Sequence, residues 1–314
     1  LDLASADTRD IGFAFAALKL APSAAAALAE RAPREAAARI KAVLEAGGDA
    51  LAAEVARRRR SGGLFDGIHE SWLALALLEE TDDVVRAVAG TLAEPQAAAL
   101  LRALEMAGRP IERRGRRGGL AAELEPLLCE KFKAHAFPEA RGPLAPERPV
   151  GRWLAAATAD EIAAVARELG LKVVARAFSR ISRDDLAKLC HGISAGDSVR
   201  LVSAVVELNE QMKPEDLRAA QGSYLKIMKG AGITKELFGD AGLGLIGALF
   251  GDEDDRARTA IAYRLPEPLG RRILELSARG AIPDENTRKK YGEDFPGWMD
   301  ELSAKSIAKS WKKQ

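Results

Sequence analysis

Cys190 and His191 set a thiol beside an imidazole, the two groups from which a cysteine nucleophile and its base are built. Neighbouring helical positions point about a quarter-turn apart, so this pair does not face itself, and Cys190 reads as a reduced core thiol. The only other cysteine, Cys129, has neither a CxxC neighbour nor a Cys/His partner at ligand spacing. His69, His135 and His191 form neither HxxxH nor HExxH, so no metal site is expected. His69, beside Glu70 and near Trp72, reads as a helix-start contact. The paired acids Asp184-Asp185 and Asp252-Glu253-Asp254-Asp255 could hold a cation or pass a proton, but both sit where a helix begins, and capping accounts for them. Glycines at 239, 242, 244, 247 and 251 resemble a phosphate cradle in composition only, because no lysine follows and no strand precedes. They read as tight helix packing or a hinge. No GxxxxGK[ST] loop is present, and no GxSxG elbow can be placed on a strand-to-helix turn. The expectation is a chain with no catalytic site and no cofactor.

Two arginine-rich loops are the strongest local charge features. One carries Arg57, Arg58, Arg59 and Arg60, the other Arg113, Arg114, Arg116 and Arg117, and each is punctuated by glycine. They could contact phosphates or an acidic partner, although arginines at a helix end also complement its dipole. The chain as a whole has 47 basic and 46 acidic residues, so no overall field recruits nucleic acid or an anionic membrane. A helical protein clamping nucleic acid with these loops is the alternative reading. The tail carries Lys305, Lys309, Lys312 and Lys313 around Trp311 and could lie on a membrane or in a partner groove.

The elements that must position these residues are helices. Aromatics are 5% of the 314 residues and alanine supplies much of the apolar share, which favours slim helices packed closely. Apolar residues recur at i, i+3/i+4 between Ile68 and Met106, and Pro22 and Pro33 divide three or four short helices between about Thr8 and Arg60. A helix is predicted from about Leu120 to Ala136. The four prolines within 137–149 then exclude a helix or a central strand, which sets domains at 1–136 and 150–314 with 137–149 as linker. Thr158 to Glu161 and Ser182 to Asp185 match capping boxes, and Ser194 to Asp197 and Lys213-Pro214 mark two further starts. Pro283 and Pro296 are expected to cut the last thirty residues into short pieces. The fold class is therefore all-α, either multi-helix bundles or an irregular armadillo/HEAT-like stack. The apolar run Leu243 to Phe250 is far short of the roughly 20 residues needed to span a bilayer. With no basic-then-apolar leader at the start, a cytoplasmic location is expected.

Several segments resemble the flagellar motor-switch rotor family. Glu94-Pro95-Gln96 at a helix start is similar to that family's Glu-His-Pro-Gln motif without its histidine. Ile181 to Leu189 is similar to the segment opening the family's C-terminal domain, and Leu265 to Ile273 to its charged helix, while the Met-Phe-x-Phe hinge is absent. The Leu-Pro…Arg-Arg ending is also similar to accessory proteins of type III secretion sorting platforms. The resemblance implies a component of a flagellar motor or type III export complex; a non-catalytic scaffold of that kind is expected to bind other proteins through Glu94, Pro95, Gln96, Arg271 and Arg272, and through Trp72, which reads equally well as a core anchor.

Overall fold

A computed structural model describes residues 63–111, 119–140, 144–209, 213–227, 234, 236–278 and 285–311. Among them are thirteen α-helices and no strand, so the chain is all-α. It divides into two compact units, Leu1–Arg141 and Gly142–Gln314. The helices predicted between Thr8 and Arg60 lie outside the described residues, as do both arginine-rich loops.

The first unit contains α1 (Glu70–Leu77), α2 (Asp82–Thr91), α3 (Glu94–Met106), α4 (Gly119–Ala136) and a single 3-10 turn, Pro138–Ala140. Helix α1 starts where the His69 ring accepts from the Ser71 amide at 3.2 Å, so His69 is a cap. Its far end is closed by Arg109, whose guanidinium donates to the carbonyls of Leu77, Leu78 and Glu80. Leu77 and its cap Leu78 stand where a helix leaves carbonyls without intrahelical donors, and Glu80 lies just beyond. α1 packs on α3, and α2 on both α3 and α4. Leu73, Leu77, Val85, Val88, Leu100 and Leu104 are buried there, and Phe132 sits between Phe65 and Phe137 with ring centroids 6.1 and 6.2 Å away.

The second unit is built around two helices. They are α6 (Ala159–Ala177) and α10 (Leu237–Phe250), packed by α5 (Pro149–Ala156), α7 (Arg183–His191), α8 (Ala195–Asn209), α9 (Pro214–Ile227), α11 (Asp255–Ala262), α12 (Glu267–Ala278) and α13 (Glu285–Ala304). In a helical stack each repeat touches only its sequence neighbours. Here the largest contact joins α6 to α10, far apart in the chain, so this unit is a bundle around a buried central pair. α10 is apolar all round, with residues such as Leu245, Ile246 and Phe250 buried on different sides, as a central helix must be. The expected glycine-faced packing is found. A Cβ on Gly242 would lie 1.7 Å from the Ala166 carbonyl oxygen, and one on Gly170 at 1.7 Å from that of Phe238. The two backbones touch where these residues lack side chains.

The expectation that Pro296 would end a helix is corrected. α13 runs unbroken from Glu285 to Ala304 with Pro296 inside it, while Pro283 lies outside the described residues. Proline in a helix interior costs about 3 kcal/mol through its missing N–H and its clash with the preceding turn. Tyr291, Phe295, Trp298, Met299 and Leu302 are all buried along α13, at roughly 1.5–3 kcal/mol each. Burial wins by a wide margin. The tail residue Trp311 joins the same core: its ring packs edge-on against Phe295 and its Nε1 donates to Asp300 at 2.7 Å.

The proline-rich stretch 137–149 is not uniformly a linker. Phe137 is buried in the first unit, and Pro149 opens α5 in the second. The Glu147 and Arg148 amides donate to the buried Glu253 carboxylate at 3.1 and 2.6 Å.

Candidate partner-binding face on α7 and α8

Helix α7 begins at Ser182, whose Oγ accepts from the Asp185 amide at 3.2 Å and donates to the Asp185 carboxylate at 2.8 Å. Lys188 donates to the other oxygen of the same carboxylate, and these two hydrogen bonds, Lys188 first, hold Asp185 below the ordinary carboxylate range. The acids of this segment serve helix geometry. Three residues, Gly192, Ile193 and Ser194, connect α7 to α8 and make a helical hairpin. Ser194 caps α8 by accepting from the Asp197 amide at 3.2 Å. Gly192-Ile193-Ser194-Ala195-Gly196 spells GxSxG, but a helix and not a strand precedes it, and Ser194 Oγ is committed to Asp197.

One side of α8 is fastened to α6. Asp197 pairs with Arg167 at 2.5 Å, and Arg200 forks onto both oxygens of Glu168 at 2.7 and 2.6 Å. Leu201 and Val205 are buried on that side. Ser198 Oγ donates to the Cys190 carbonyl at 3.1 Å and ties the end of α7 to α8. Burial pushes the Asp197 carboxyl up, but hydrogen bonds from Ser194 and Arg167 and the charges of Arg167 and Arg200 outweigh it, leaving Asp197 below its ordinary value. A carboxyl depressed in the folded state contributes stability that is present above its unfolded value and lost as pH falls through the folded one. We therefore expect urea midpoints to fall below about pH 4, and Asp197→Asn to flatten that acid limb while lowering the neutral-pH midpoint. An equal acid loss in both proteins would remove Asp197 from the account.

The opposite side of α8 carries an apolar stripe in solvent. Val199, Val202 and Val206 fall at i, i+3 and i+7 and are 68%, 39% and 63% exposed. The face of α7 that carries Leu186, Ala187 and Cys190 lies alongside, and with Val199 and Val202 it forms a groove of about 450 Å³ whose other lining residues are Arg183, Ser198 and Ser203; Val206 lies one turn beyond Val202. Cys190 is half-buried in this groove and His191 is exposed. Among the described residues no hydrogen bond joins them. A second groove, of about 440 Å³ between α5, α10 and α13, differs in being lined by charges of both signs, with Arg288 paired to Asp252 at 3.1 Å.

The residues expected to contact partners are placed as follows. Trp72 is half-buried in the first turn of α1, and Glu94, Pro95 and Gln96 are exposed in the first turn of α3. Arg271 is exposed and paired with Glu267 at 2.6 Å, and half-buried Arg272 lies 3.8 Å from Glu275 on the same helix. The first four belong to one unit and the two arginines to the other. Arg57, Arg58, Arg59, Arg60, Arg113, Arg114, Arg116 and Arg117 are outside the described residues. The α8 stripe was missed. Among the described residues no group of three or more His, Cys, Asp or Glu could hold a metal ion, and no helix is long and apolar enough to cross a membrane.

No family model, curated protein or solved structure matches the chain.

Proposed function

We propose that this chain is a non-catalytic helical scaffold that binds other proteins, with the α7–α8 groove as its principal contact surface. The observation that carries the reading is the stripe of Val199, Val202 and Val206, held in solvent by a helix whose other side is locked to α6. Scattered exposed apolar residues need no explanation, whereas three on one helical face beside a groove form a patch of the kind partner proteins cover. Fully burying an aliphatic side chain is worth about 1.5–3 kcal/mol, and the exposed parts of three valines offer a useful share of a binding energy. Exposure of Glu94, Pro95 and Gln96 at the start of α3 supports a second contact there. The sequence resemblance makes the assembly a cytoplasmic one, a flagellar motor or type III export complex.

The test is affinity capture of the full chain from its own cell lysate, nuclease-treated and at moderate salt, beside a Val199→Asp/Val206→Asp variant. Both positions are exposed, so the variant's melting temperature is expected to stay close to that of the unsubstituted chain. Rotor or export proteins are expected with the unsubstituted chain, and recovery is expected to drop more than tenfold with the variant. Undiminished recovery by the variant would overturn the groove as the contact. Recovery of nuclease-sensitive material alone would put the nucleic-acid reading first.

A further inference from the structure

We propose that the α7–α8 groove receives one amphipathic α-helix of a partner protein, seated with an acidic side chain against Arg183. This inference rests on the scaffold reading above and goes beyond it by fixing the conformation and charge of the occupant.

The helical conformation follows from backbone hydrogen bonding. An extended peptide entering an apolar groove must find partners for its own amides and carbonyls, which it does by adding to a sheet edge. No strand exists among the described residues, and the backbones of α7 and α8 are bonded within their own helices. Of the polar atoms lining the groove, Ser198 Oγ already serves the Cys190 and Ser194 carbonyls. A helix satisfies its backbone internally and presents only side chains. The length also fits. From Val199 to Val206 the stripe rises about 10 Å at 1.5 Å per residue, two turns of a docked helix, and exposed Ala195 extends it by one turn more. The occupant therefore places apolar residues at i, i+3 or i+4, and i+7, the first of them between Leu186 and Ala187 on one wall and Val199 and Val202 on the other, and the last over exposed Val206 beyond the groove.

The charge follows from Arg183. It is the one charged residue lining this groove, it is exposed, and no ion pair engages it among the described residues. Three nearby carboxylates are already engaged, Asp185 with Lys188, Glu168 with Arg200 and Asp197 with Arg167, while the exposed Asp184 beside Arg183 does not line the groove. A carboxylate on the incoming helix complements this lone guanidinium, which can accept it in bidentate fashion. A second copy of the same groove would bring another arginine and no carboxylate from its lining.

The test places a photo-reactive benzophenone amino acid at Val202 in the full chain, cross-links in the native cells, and identifies the attached peptide by mass spectrometry. The expected product is a segment of another protein, with aliphatic or aromatic residues at helical spacing and Asp or Glu near one end. A synthetic peptide of that segment is then expected to be helical when bound and to bind the Arg183→Glu chain about fivefold more weakly, the scale of a partly exposed ion pair. Replacing the peptide's acid by Lys should restore that loss. A cross-link to the chain itself, an extended or proline-rich segment, or unchanged affinity with Arg183→Glu would each overturn the proposal. Whether Val199→Asp/Val206→Asp still loses the captured partner is read separately, so the scaffold reading can stand while this inference fails.

Discussion

Gly242→Ala is expected to destabilise the second unit by about 3 kcal/mol, although alanine is the better helix former by about 1 kcal/mol. The added methyl would lie 1.7 Å from the Ala166 carbonyl oxygen, part of a hydrogen-bonded helix backbone that cannot swing aside as a side chain can. α6 and α10 must separate, and every buried contact along the pair loosens with them, from Leu169 to Leu245. For a unit of this size the loss corresponds to a melting temperature lower by about 10 °C. Gly239→Ala is the control within the same helix. A Cβ there meets nothing within 4 Å, so the propensity gain stands alone and the melting temperature holds or rises slightly. Similar melting for the two variants would mean that the central pair does not pack as described.

The second large effect is expected at Glu161. Its buried carboxylate accepts from Trp153 Nε1 at 3.1 Å, from the Ser310 amide at 2.9 Å and from Ser310 Oγ at 2.8 Å. It joins the start of α6 to α5 and to a tail residue 149 positions away. Glu161→Ala leaves the Trp153 indole and the Ser310 amide buried without this acceptor, at about 1–3 kcal/mol for each that water cannot reach, while Ser310 Oγ keeps the Ala156 carbonyl at 3.2 Å. We expect a loss of about 3–4 kcal/mol by urea unfolding. Glu161→Gln keeps one oxygen acceptor and is expected to lose about half as much. If Glu161→Ala unfolds at the same urea concentration as the unsubstituted chain, the tail is not anchored there.

Glu161 also shows where reading a sequence reaches its limit. Thr158-Ala159-Asp160-Glu161 spells a capping box, and Thr158 Oγ1 does accept from the Glu161 amide at 3.3 Å. The carboxylate that would complete the box instead serves Trp153 on the preceding helix and Ser310 from a distant segment. At Ser182 nothing competes, and Asp185 keeps the local pairing. Helix starts were legible because caps act within three or four residues. Pro214 opens α9 for the same local reason, its missing N–H costing nothing in a first turn. Pro296 was misread because five buried side chains, supplied by tertiary packing, outweigh one lost bond.

The groove was hidden by a different ambiguity. α8 carries two apolar faces, Leu201 and Val205 on one and Val199, Val202 and Val206 on the other. Periodicity identifies both and ranks neither. The deciding facts are the long-range ion pairs to Arg167 and Glu168, which turn the first face inward and leave the second in water. A signal was nevertheless present: a helix with aliphatic residues on two sides has one side too many for a single core. The emphasis on Trp72, Arg271 and Arg272 came from residue type and resemblance, and the structure gives those arginines intrahelical ion-pair partners on the surface of α12.

The most direct test of the scaffold account is valine methyl NMR of the full chain, titrated with the purified partner obtained by capture. The account predicts that the methyl signals of Val199, Val202 and Val206 shift and broaden on addition, while those of the buried Val85, Val88 and Val173 stay in place. Binding that leaves Val199, Val202 and Val206 all unperturbed would contradict it.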